Sequence, residues 1–171
     1  MKSAMFFEFT ADSESATVRV QRQFNAPSHL VWKAWTTPEL LDQWWAPRPY
    51  RTETKEMDFR SGGFWLYGMI GPEGDTHWCR ANYSNVTPET AYVAIDAFCD
   101  ESGDNINHEF GQSTWNVSFD SKGEQTMVNI IISYETVDQM HKFIELGFKE
   151  GFTMALANLD EYFERTLGGA E

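Results

Sequence analysis

The chain has 171 residues, 42% of them hydrophobic and 15% aromatic, with a formal net charge of −13. That length suits one domain with a sizeable core, and a hydrophobic share near the globular average argues against disorder. The acidic balance argues against nucleic acid and anionic membrane surfaces as partners, because both are held by clustered basic side chains.

Residues 1–15 are polar and irregular, and read as a frayed segment or an added edge strand. Met1 to Phe7 breaks at Glu8 before any long apolar run, so no secretory leader is expected there. From Thr17 to Phe24, the side chains of Val18, Val20 and Phe24 share one face at period two, as in a strand. Pro27 suits a first helical turn, and Leu30, Val31, Ala34 and Trp35 follow at helical spacing. Thr37-Pro38-Glu39 starts a second helix that Pro47 and Pro49 confine to about Trp45.

Six strand candidates follow, at Tyr50–Arg60, Phe64–Ile70, Thr76–Val86, Ala91–Phe98, Thr114–Phe119 and Thr126–Tyr134. Short turns rich in Gly, Pro, Asp and Ser separate most of them, which implies an antiparallel meander. Thr136 with Gln139 is a capping-box signature, so helix resumes there. Phe148, Phe152, Ala155, Leu156, Leu159, Tyr162 and Phe163 then form an apolar stripe that runs to the Gly168-Gly169 stop. Gly147 and Gly151, one turn apart, predict a kink or a close backbone approach near its start. The sheet needs one face covered, and this helix is the only long amphipathic element available. The expected fold is α+β, in the order β-α-α-β₆-α, with about seven strands. The domain spans 16–167, with a tail at 168–171.

Several segments resemble a known family. Phe24-Asn25-Ala26-Pro27, the run Val31 to Leu41, and Trp44-Trp45 are similar to the opening of a START-like (SRPBCC, Bet v 1-like) branch. That branch is named after the activator of the heat-shock-protein-90 ATPase. Asp58-Phe59-Arg60-Ser61-Gly62-Gly63 with Gly71-Pro72-Glu73-Gly74, Val86-Thr87-Pro88-Glu89, and Gly147 to Phe152 complete the resemblance in order over about 16–166. Ser61 stands where the family often has Pro. The resemblance implies a helix-grip fold, a curved sheet around a long C-terminal helix with a cavity between them. It also implies roles that range from co-chaperone domains to pocket proteins and cyclases. The separate N-terminal domain of the eukaryotic co-chaperones is not seen in these residues, so ligand binding ranks ahead of ATPase activation.

No phosphate-binding glycine loop, no Gly-x-Ser-x-Gly turn and no His-Glu-x-x-His motif occurs in the sequence. His29, His77, His108 and His141 are scattered, so neither metal nor cofactor is expected. Cys79 and Cys99 lie in separate strands and read as reduced thiols of a cytoplasmic protein, which makes the sequons at Asn82, Asn85 and Asn116 chance matches. Asp58 and Arg60 read as a structural ion pair rather than catalytic groups, and His77 and Arg80 as solvent-exposed.

The candidate ligand-binding residues come from strand and helix parity. Trp65, Tyr67 and Met69 share one face, as do Trp115, Val117 and Phe119; Phe152 and Leu156 look toward them from the helix. Trp78 and Tyr83 differ in parity, so at most one of them faces inward unless a bulge intervenes. Trp44, beside Trp45, either gates the pocket mouth or seals the end of the core. The leading expectation is a non-catalytic protein that binds a small hydrophobic or amphipathic molecule. A co-chaperone-type surface for a protein partner and a cyclase- or hydrolase-like enzyme are the alternatives. A void would favour the first reading, a filled core with a complementary charged face the second, and two convergent titratable groups in the pocket the third.

Overall fold

The computed structural model describes residues 5–167. The chain runs β1 (Phe7–Asp12), β2 (Thr17–Phe24), α1 (Ser28–Thr36), α2 (Pro38–Trp44), β3 (Arg51–Asp58) and β4 (Phe64–Ile70). It continues with β5 (Thr76–Thr87), β6 (Ala91–Cys99), β7 (Gln112–Lys122), β8 (Gln125–Tyr134), α3 (Val137–Glu145) and α4 (Phe148–Thr166). All eight strands form one antiparallel sheet in the order β1-β2-β8-β7-β6-β5-β4-β3.

The edge-strand alternative for the N-terminal segment is the one adopted. Phe7 pairs with Arg22 and Asp12 with Thr17, which adds an eighth strand to the seven expected. Phe9 reaches over to Phe148, with ring centroids 6.2 Å apart, so tertiary packing holds a segment whose local pattern is weak. Pairing also carries β7 and β8 further than the sequence signal: Lys122 opposes Gln125, leaving Gly123-Glu124 as the turn. Gly123 has φ 73°, the left-handed conformation that a tight hairpin turn requires.

Two-residue alternation sets the concave face. Val18 and Val20 of β2 and Ile130 and Ile132 of β8 point inward and are at most 1% exposed. Leu156 and Leu159 of α4, both at 0%, close over this half of the sheet. Burying each such aliphatic side chain contributes about 1.5–3 kcal/mol before entropy is counted. Two polar contacts fix the height of α4. Arg22 on the inner face of β2 pairs with Asp160. Asn158, 5% exposed, donates to the backbone carbonyls of Ala46 at 3.1 Å and Trp44 at 3.4 Å.

The C-terminal helical region is broken at Leu146-Gly147. The Thr136 side chain accepts from the Gln139 amide at 3.0 Å, as the capping box predicts, and α3 ends at Glu145. Gly147, at φ 96°, then turns the chain into α4. The Gly168-Gly169 stop and the tail at 168–171 lie outside the described residues.

Candidate functional site: a cavity under the helix break

Where α4 meets β2 and β8, large aliphatic residues fill the interface. At the α3–α4 break and one helical turn beyond it, Gly147 and Gly151 present no side chain, and a cavity of about 620 Å³ remains between helix and sheet. Trp45, Pro47 and the start of α4 form one side of it, and the inner faces of β4 to β8 form the floor. A Cβ built on Gly151 would meet Pro47 Cγ at 3.5 Å, an ordinary contact, so the open space lies beyond that first carbon.

Register explains what lies on the floor. Tyr67 opposes Cys79 across β4 and β5, Asp96 opposes Ser113 across β6 and β7, and Ser113 opposes Tyr134 across β7 and β8. These inward positions place a row of polar side chains beneath an aromatic roof of Trp45, Phe148 and Phe152. Trp115, also on the floor, packs edge-on against Phe152 at 5.5 Å and tilted against Trp45 at 5.8 Å.

Asp96 is the acid in this row. The Tyr67 hydroxyl donates to its Oδ1 at 3.4 Å, and Trp45 Nε1 donates to the Tyr67 oxygen, also at 3.4 Å. Burial pushes the Asp96 carboxyl up to about 7, although the Tyr67 hydroxyl and the Ala97 backbone N–H favour its charged form. Burial likewise raises Tyr67, Cys79 and Tyr134, and the charge of Asp96 raises each further. No Lys or Arg lines the cavity among the described residues. His77 borders it, half-exposed, with Nε2 3.2 Å from the Asp75 carboxylate.

Of the residues singled out by parity, Tyr67, Met69, Trp78, Trp115 and Phe152 border the cavity. The ring of Trp78, however, lies on the outer face: it covers Gly68, which opposes it in β4, beneath the Lys55 ammonium at 5.7 Å. Tyr83 takes the inward parity instead, but sits further along the strand against Phe59 at 4.7 Å. Trp65 stacks on Tyr67 at 3.8 Å and donates to Thr54 Oγ1 at 3.0 Å. Trp65 and Tyr83 border a separate void of about 20 Å³.

Trp44 and Leu156 do not reach either space. Trp44 is 1% exposed, packs on Trp35 at 4.9 Å and donates to the Ala34 carbonyl at 2.9 Å, so it seals the core. Leu156 is fully buried and lines neither space. Asp58 and Arg60 form an exposed ion pair at 2.8 Å, and the Arg80 guanidinium lies over Phe64 at 4.2 Å on the outer face.

Sequence reasoning passed over Asp96, Cys79, Tyr134 and Phe143. The stretch Tyr92 to Phe98 is apolar at both parities apart from Asp96, so alternation alone did not mark its inner face. The signal that was available is an unpaired acid within an otherwise apolar strand.

The fold recurs among solved structures. Protein Ms6760 from Mycobacterium smegmatis is 21% identical with a TM-score of 0.84, over 95% of this chain and 99% of that one. A protein from Arthrobacter aurescens, solved by NMR in solution, is 26% identical with a TM-score of 0.86, over 94% of this chain and 92% of its own. The AHSA1 protein from Silicibacter pomeroyi is 19% identical with a TM-score of 0.67, over 86% and 97%. No curated protein matches the chain in sequence. The family model described as Activator of Hsp90 ATPase homolog 1-like protein matches residues 25–164. With most of its length matched, the chain belongs to the Activator of Hsp90 ATPase homolog 1-like family.

Proposed function

We propose that this protein binds one small hydrophobic or amphipathic molecule in the cavity between the sheet and the C-terminal helix. The observation that carries the reading is the cavity itself, about 620 Å³ with an aromatic roof over a row of polar groups. Small-molecule sites have this size and this mixture of apolar wall and few polar handles. The space opens to solvent on one side, so a small molecule can enter it without the fold coming apart. The unpaired Cys79 and Cys99 support a reducing, cytoplasmic setting.

Native mass spectrometry of the purified protein, together with titration of a hydrophobic dye followed by tryptophan fluorescence, tests the reading. The expected result is saturable quenching near one molecule per chain, lost in Gly151→Leu while the circular dichroism spectrum is kept. Leu raises helix propensity at this position and fills the space from above. Undiminished binding in that variant would refute the cavity and turn attention to a co-chaperone-type protein surface.

The contact between Asp96 and Tyr67 supports a second reading, an acid–base site acting on the bound molecule. A carboxyl held near neutrality inside an apolar pocket suits proton transfer. Turnover of a bound compound that is lost in Asp96→Asn, with binding retained, would favour catalysis over storage or transport.

A further inference from the structure

The chemistry of the occupant is constrained by what surrounds Asp96. The carboxylate accepts one long hydrogen bond from Tyr67 and a backbone contact from Ala97, and no cationic side chain pairs with it among the described residues. The side chains near it are Tyr67 from β4, Cys79 and Tyr83 from β5, Cys99 from its own strand and Tyr134 from β8. None of these carries a positive charge. From α3, α4 and the break between them, the side chains that reach the cavity are Phe143, Leu146, Phe148 and Phe152. An acid therefore lines the cavity with no cationic partner among the described residues, and the opposite wall is made of aromatic side chains.

We infer that the occupant is an amphipathic amine, its ammonium group seated against Asp96 and its apolar body packed among Trp45, Trp115 and Phe152. This rests on the cavity reading above and narrows it. An ammonium supplies the missing counter-charge, and the rings accept its positive edge as well as its hydrocarbon. An anionic head would face Asp96 with no compensating cation. The net charge of −13 also enriches cations around the protein before they enter.

Isothermal titration calorimetry with naphthylethylamine, naphthylethanol and naphthylacetate separates these chemistries on one apolar body. At about pH 8, the amine binds about tenfold to a hundredfold more tightly than the alcohol, as a charge-assisted hydrogen bond predicts, and the acid binds most weakly. The preference shrinks toward about pH 5, where Asp96 takes up a proton, while alcohol binding stays level. Asp96→Asn removes the preference and keeps alcohol binding; His77→Gln, at the cavity border, leaves the pH profile in place. The pH series on the unaltered chain stands even if Asp96→Asn folds poorly. Equal affinity for amine and alcohol, or a preference insensitive to both pH and Asp96→Asn, overturns the amine but leaves a neutral-ligand cavity standing. Failure of all three probes to bind overturns the cavity reading and the amine with it.

Discussion

Replacing Asp96 by Asn should stabilise the folded chain at alkaline pH and do little at acid pH. The Asp96 carboxyl moves from an ordinary value of 3.8 to about 7 on folding, because the sheet floor withholds water from its charge. At about 1.4 kcal/mol for each pH unit between the two values, ionised Asp96 costs the fold up to about 4 kcal/mol. Asp96 keeps part of its surface open to the cavity, so solvent screening lowers the expected cost to roughly 2–3 kcal/mol.

The sign follows from proton counting. Between pH 3.8 and about 7 the folded state holds a proton that the unfolded state has released, so stability falls as pH rises through this window and levels off above it. Urea denaturation of the wild type and Asp96→Asn, at about pH 4.5 and about pH 8.5, isolates the effect, because every other titrating group cancels in the double difference. The expected double difference is about 2–3 kcal/mol, with Asp96→Asn the more stable protein at high pH. Parallel curves for the two proteins, or a larger Asn advantage at low pH, would refute the claim that Asp96 is desolvated and unpaired. Retention of a destabilising acid in a core-lining position is what a binding or catalytic role leads one to expect.

Three further outcomes are expected. Asp160→Ala leaves the guanidinium of Arg22 buried without its partner; with the Asp160 side chain 29% exposed, the loss is about 2–3 kcal/mol by denaturation, below the cost for a fully buried pair. A combined Arg22→Met and Asp160→Leu replacement should recover most of it, and failure to do so would show that the pair itself holds α4 down. Tyr67→Phe should weaken polar ligands by about 0.5–1.5 kcal/mol. It should also move the Asp96 midpoint further up in an NMR titration, since the Tyr67 hydroxyl favours the charged carboxylate. Alkylation under denaturing, non-reducing conditions should add two adducts, whereas on the folded protein Cys99 should react ahead of Cys79, which is 2% exposed. Burial pushes the Cys99 thiol up to about 11, so even that reaction should be slow near neutral pH. A chain with no adducts would contain a disulfide.

Much of the fold was legible because it rests on local patterns. Val18 and Val20 at period two, Thr37-Pro38 before a helix, Thr136 with Gln139, and the stripe from Phe148 to Phe163 each declare their element within a few residues. The segments that match in motif and order carried the family resemblance. Phe7–Asp12 was left open between frayed chain and edge strand, because only the Phe9–Phe148 contact and the pairing with β2 distinguish the two. The candidate site was legible in part. Parity placed Tyr67, Trp115 and Phe152 correctly on the inner face, but parity has no depth: it cannot separate Leu156 over the filled half of the sheet from Phe152 over the open half. Nor does it tell Trp44 in the core from Trp45 at the cavity. Those distinctions depend on the side-chain volume that arrives from the opposite layer, and here Gly147 and Gly151 withhold it. Asp96 was hidden for the same reason. A carboxyl's environment is set by neighbours from four other strands and two helices, distant in sequence, and only their assembly removes the water that would have kept it an ordinary acid.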